Sequence, residues 1–247
     1  IYYNLIMLHD KNSHIRDKNI TFQEKGHIYN VNGDTKYTSV TTWVKNKFEK
    51  FDSDKIIDTM MNSPKWTTNK YYGMTKYEIK QLWNKNGKEA SEKGTQMHKL
   101  FEDYYNEIQI NEQSKTTIEY KYFNEFINDH KHLTPYRTEW MVYDEDNKIS
   151  GSIDMVFMND DNTLSIYDWK RCKSIEKTSS FNKFSIDPKY EDIPDSNYWH
   201  YSLQLNMYRK ILQEKYNYTI RDMFLVGIHP ELHNTYKKIS VPILNIV

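Results

Sequence analysis

Asp168 and Lys170 stand two residues apart in the segment Leu164-Ser-Ile-Tyr-Asp-Trp-Lys170. Side chains alternate along an extended strand, so this carboxylate and this ammonium emerge on one face. The pair can be a plain salt bridge. It can equally ligate a hard divalent cation through the carboxylate and set the ammonium beside a metal-bound water, which is what phosphodiester hydrolysis requires. A second carboxylate, Asp154, lies in the apolar run Gly151-Ser-Ile-Asp-Met-Val-Phe157. A charge there must leave the core, meet a cation or bind metal. If the two segments are adjacent strands, about 5 Å apart, both aspartates reach one ion.

Two further pairs are spaced four residues apart, the interval that shares a helix face. His98 and Glu102 occur in Gly94-Thr-Gln-Met-His-Lys-Leu-Phe-Glu102, and Gln204 and Tyr208 in Gln204-Leu-Asn-Met-Tyr208. An imidazole with a carboxylate could hold or orient a metal. A glutamine could donate to phosphate, and a tyrosine could stack or support the lysine. Taken singly, the pairs read better as a surface His–Glu contact and an ordinary amphipathic helix.

The elements that would position these groups follow from periodicity. Residues 20–31 read as two strands turned at Lys25-Gly26, and the hydroxyl run Thr38-Ser-Val-Thr-Thr42 suits the N-cap of a helix. Helices are expected over 52–62, over 75–108 with a break or kink near Gly87 and Gly94, and over 116–130. Residues 137–143, 149–157 and 163–169 predict an antiparallel three-strand meander, joined by Asp/Asn-rich turns. A polar stretch over 173–196, suited to a substrate-facing flap, precedes a helix over 197–215, a strand over 223–229 and another over 238–244. The class is mixed α/β, a central mixed sheet flanked by helices, in one unit over 1–247. Within it, 1–36 forms an N-terminal hairpin region, 37–135 a helical part carrying the histidine, and 136–247 the catalytic sheet with the Gln/Tyr helix.

Composition sets outer bounds. Lys plus Arg and Asp plus Glu balance at 34 each, which disfavours a sequence-independent nucleic-acid coat but leaves room for a local groove. The 21 Tyr, 10 Phe and 6 Trp indicate a packed globule. The single cysteine, Cys172, excludes an internal disulfide and an iron–sulfur cluster. No apolar run is long enough for a membrane span. Ile1 begins without an initiator Met or a charged-then-apolar leader pattern, so the expectation is a soluble intracellular protein with no membrane partner, either whole or a fragment of a longer one.

In combination the motifs are more specific. The order Gly-x-x-x-His-x-x-x-Glu, Gly-x-Ile-Asp, Asp-x-Lys and Gln-x-x-x-Tyr resembles the RecB-type, lambda exonuclease-like branch of the PD-(D/E)XK nucleases. It is similar to mitochondrial genome maintenance exonucleases, whose Ser-Val-Thr element Tyr37-Thr-Ser-Val-Thr41 resembles, and to nucleases of large DNA viruses. Ile153 stands in place of the family's proline, and Asp168 where many relatives carry glutamate.

The resemblance implies a restriction-endonuclease-like core and a Mg²⁺- or Mn²⁺-dependent DNA nuclease with one or two ions, most consistent with an exonuclease on single-stranded or end-containing DNA. It implies metal ligation by Asp154, Asp168, His98 and the Trp169 backbone carbonyl. Lys170 would position the attacking water, with Glu102 as a supporting carboxylate. Gln204 and Tyr208, as substrate-binding residues, would orient the lysine and the substrate phosphate, and Ser39 and Thr41 would be phosphate contacts. Partners would be DNA and a helicase or other replication, repair or recombination proteins, in a viral or organellar setting. A catalytically inactive nucleic-acid-binding module and an RNA endonuclease of the same fold remain as alternatives.

Overall fold

The structure, a computed structural model, describes residues 6–246. After a single-turn helix α1 (Leu8–Lys11), strands β1 (Ile20–Gln23) and β2 (Ile28–Val31) form the expected antiparallel hairpin. Its buried residues Ile20, Tyr29 and Val31 turn toward the main core. A two-residue strand β3 (Thr38–Ser39) leads into α2 (Val40–Lys45), where Ser39 is the N-cap and accepts a hydrogen bond from Thr42 N–H.

Three longer helices follow: α3 (Ser53–Met61), α4 (Lys76–Tyr105) and, after the single turn α5 (Glu112–Lys115), α6 (Ile118–Asp129). Thr75 and Glu78 close α4 with a reciprocal capping box. The expected break in α4 is absent: the helix runs 30 residues through both Gly87 and Gly94. A Cβ at either glycine would meet nothing within 4 Å. The Lys, Glu and Ala around them favour helix strongly enough to absorb two unfavourable positions.

The meander is present as β4 (Thr134–Asp144), β5 (Ile149–Met158) and β6 (Leu164–Lys170), all antiparallel. Helix α7 (Asn197–Lys215) crosses to β7 (Ile220–Gly227), parallel to β6, and β8 (Lys237–Ser240) closes the far edge antiparallel to β7. With β3 parallel to β5 this makes a six-stranded mixed sheet. The protein is therefore a mixed α/β fold with helices on both sheet faces. On one face α2 and α7 bury Val40, Val44, Leu203, Leu205, Ile211 and Leu212 against Ile153, Val156, Ile166 and Leu225. On the other, Met97 and Phe101 of α4 and Phe123 and Phe126 of α6 pack on Met155, Phe157, Tyr167 and Trp169.

Two irregularities in this sheet create a site. Strand β5 pairs with β3 only at Ile149 and Ser150, and with β6 only from Met155 onward. Between them its edge is open, and the end of β6 from Asp168 to Lys170 runs past it without a ladder partner on that side. Second, Ile153 packs beneath α7 but Met155 beneath α4 and α6, although residues two apart on a regular strand share a face. Opposite them in β4, Glu139 adopts φ +43°, the left-handed region that strand residues avoid. The strand pair changes face at Glu139 and Asp154, although the register runs unbroken from Arg137↔Val156 to Asp144↔Ile149.

The 173–196 stretch is irregular apart from a short 3₁₀ turn, Pro188–Tyr190. It is tethered to the α2–α3 link: Lys47 Nζ lies 2.5 Å from Asp187 Oδ2, and the Lys47 carbonyl accepts from Ile186 N–H and Ser185 Oγ. Among the described residues, no helix is long and apolar enough to cross a membrane.

Candidate metal centre

The open edge of β5 brings Asp154 against the unpaired end of β6. Asp154 Oδ2 accepts the Trp169 N–H at 2.9 Å, so a side chain takes the place of a missing strand partner. The Trp169 carbonyl accepts from His98 Nε2 at 2.9 Å. A carbonyl can only accept, so the proton sits on Nε2, and Nδ1 is turned inward. Nδ1 lies 3.7 Å from both Asp154 Oδ2 and Glu139 Oε1. This is the arrangement by which a backbone carbonyl fixes the ring of a metal-binding histidine.

His98, Glu139 and Asp154 offer ligand atoms that all lie within 4.8 Å of one another. An ion with bonds of about 2.1 Å holds opposed ligands about 4 Å apart, so slight contraction around a divalent cation suffices. Two carboxylates and an imidazole do not single out one metal. Without an ion, the carboxylates hold a proton there instead. Burial would lower the His98 pKa, but Asp154 and Glu139 outweigh it and raise it to about 9. Burial also raises Asp154, against the pull of His98 and Lys170.

Asp168 lies deeper. Its Oδ2 is 2.6 Å from Lys170 Nζ, and Gln204 Nε2 donates to Oδ1 at 3.3 Å. Burial pushes its pKa up, with the Lys170 charge opposing. Burial would lower the Lys170 pKa, yet Asp168 and Asp154 raise it, so the ammonium stays charged. Its Nζ also sits 4.7 Å above the Tyr201 ring. The shared strand face expected for Asp168 and Lys170 thus becomes a direct ion pair beside the His98–Glu139–Asp154 group.

Tyr208, one helical turn beyond Gln204, is buried over Gly151: a Cβ there would fall 2.8 Å from the tyrosine Cε1 and Oη. This close approach is why the residue is glycine. The structure therefore joins His98, Asp154, Trp169, Asp168, Lys170 and Gln204 in one network, with Tyr208 packed on Gly151 of the same strand as Asp154. It leaves three expected residues at its margin. Glu102 pairs with Lys99 at 3.2 Å and lines, with Glu139, an adjoining cavity of about 300 Å³. Ser39 Oγ is occupied with Thr42 N–H and with the Thr41 and Thr42 hydroxyls. Thr41 is exposed. The Trp169 carbonyl, expected to ligate, is engaged by His98.

Glu139 escaped sequence reasoning because it belongs to no motif. Its signal was positional: counting back from the β4–β5 turn, Trp140 pairs with Ile153 and Thr138 with Met155, which sets Glu139 opposite Asp154. No family model matches the chain, and no curated protein matches it in sequence.

Proposed function

We propose that this protein is a divalent-metal-dependent deoxyribonuclease with a PD-(D/E)XK core, hydrolysing phosphodiester bonds as an exonuclease on single-stranded or end-containing DNA. One observation carries the reading. The β5 and β6 ends part beside α4, so that Asp154, Asp168, Lys170 and His98, from three elements, share one buried network. A salt bridge needed only for stability would not require this many charges in one place, since each is costly to bury.

Mg²⁺ or Mn²⁺ would be held by Asp154 and His98 with Glu139, and Asp168 would be a further ligand beside them. A bound ion supplies a water of lowered pKa and offsets charge on the phosphate. The chain's own groups do the rest. Lys170, kept protonated by Asp168, donates a hydrogen bond to the attacking water or a phosphate oxygen. Gln204 holds Asp168 in place, and Tyr201 beneath the ammonium restricts its swing. Trp169 fixes two groups at once, Asp154 through its N–H and His98 through its carbonyl.

The test is incubation with Mg²⁺, Mn²⁺ or a chelator on end-labelled linear and circular DNA, single- and double-stranded, with RNA controls. Metal-dependent cleavage of linear DNA is expected, with closed circles spared. Cleavage of RNA alone would favour the ribonuclease alternative, and no cleavage of any substrate would defeat the reading.

A further inference from the structure

We infer that Ser152 is a positioning residue for the metal centre, its hydroxyl setting the Glu139 carboxylate so that one oxygen faces the ion. The inference rests on the metal-centre reading above.

Glu139 enters the group at a disadvantage. It lies across the β4–β5 ladder from Asp154, and like charges in that relation repel. Its backbone is in the left-handed region at φ +43°, and its side chain is 35% exposed. A glutamate with three free torsions and access to water has every reason to swing outward, and ordering it costs entropy.

The Ser152 Oγ–H opposes this by donating to Glu139 Oε2 at 3.0 Å. That bond occupies one carboxylate oxygen and leaves Oε1 as the atom nearest His98 Nδ1. Ser152 is itself held in the β4 ladder, where it pairs with Met141, and the buried Tyr29 lies beside its backbone. On its open edge β5 has no strand neighbour between Ser150 and Met155, and Tyr29 from the N-terminal hairpin lies near that stretch. The hydroxyl at position 152 thus serves the carboxylate across the ladder, not its own strand.

Groups that orient a metal's ligands change affinity roughly 10- to 100-fold when removed. The test is Mn²⁺ titration by calorimetry of the wild type, Ser152→Ala, Ser152→Thr, Glu139→Gln and the Ser152→Ala/Glu139→Gln double variant, with apo-state melting as a folding control. Ser152→Ala should weaken Mn²⁺ about tenfold with unchanged apo melting, and Ser152→Thr should restore it. In the Glu139→Gln background, Ser152→Ala should add nothing, because the hydroxyl acts through that carboxylate. Wild-type affinity in Ser152→Ala, or full additivity in the double variant, would overturn the inference while leaving the metal centre standing. Absence of Mn²⁺ binding by the wild type would overturn both.

Discussion

At the scale of residues, the site is a set of charges whose costs are mutually offset. His98 shows this best. Its proton is held until about pH 9 in the folded protein, against an ordinary value of 6.5. A raised pKa means stability that is fully present below pH 6.5 and lost as pH rises through about 9. A metal must displace that proton. Apparent Mn²⁺ affinity should therefore climb about tenfold per pH unit approaching pH 9 and then level. Thermal melts with and without Mn²⁺ at pH 6, 7, 8 and 9 read this as a widening gap between the curves, and a constant gap would contradict it. Gly151 makes the second case. Gly151→Ala should cost about 1–3 kcal/mol by driving a methyl into Tyr208, measurable by urea denaturation. The Asp168–Lys170 pair was legible from its spacing alone because strand alternation is local. Glu139 and the Trp169 carbonyl were not, because their roles depend on partners that only folding supplies, 15 residues away across the ladder and 71 away on α4.

At the scale of elements, the long helix α4 carries His98 to the sheet, and its stiffness matters to where that ring sits. Periodicity found the helix but placed a break at Gly87 and Gly94. Local propensity disfavours glycine there, and what overrode it was the run of strong helix formers on either side, with solvent around both positions. Because no neighbour crowds either site, Gly87→Ala and Gly94→Ala should each stabilise by about 0.5–1 kcal/mol without altering metal affinity. Destabilisation in equilibrium denaturation would mean that α4 needs the freedom these glycines give. The meander emerged with nearly correct limits because apolar alternation is a strong local signal. Helix α7 did so because residues 197–215 contain no Gly or Pro to interrupt a helix, although the helix is buried on nearly all sides and not along one stripe. The two-residue β3 did not emerge. It exists only because Ser39 lies alongside Ser150, and no short-range pattern announces such a pairing.

At the scale of the molecule, the N-terminal region is bound into the fold as a working part. Asp17 accepts from the His14 N–H, from Arg137 Nη1 at 2.7 Å and from Trp140 Nε1, tying the segment before the hairpin to β4. Arg137 is buried, so Asp17→Ala would leave its charge uncompensated and should cost about 3 kcal/mol in urea denaturation. The same region places Tyr29 near Glu139 and Asp154. The mixed sheet with helices on both faces followed from the order of elements. The parting of β5 from β6 did not, because it depends on register between strands rather than on any one of them. That parting is what sets a histidine, three carboxylates and a lysine together, and the central claim is that they hydrolyse DNA. The most direct measurement compares the wild type with Lys170→Ala on end-labelled linear DNA in Mn²⁺, after calorimetry has shown that both bind the metal. Metal-dependent cleavage by the wild type, slowed roughly a hundredfold or more in the variant, is the predicted result. Equal cleavage by the two proteins, or none by the wild type in any divalent metal, would contradict the account.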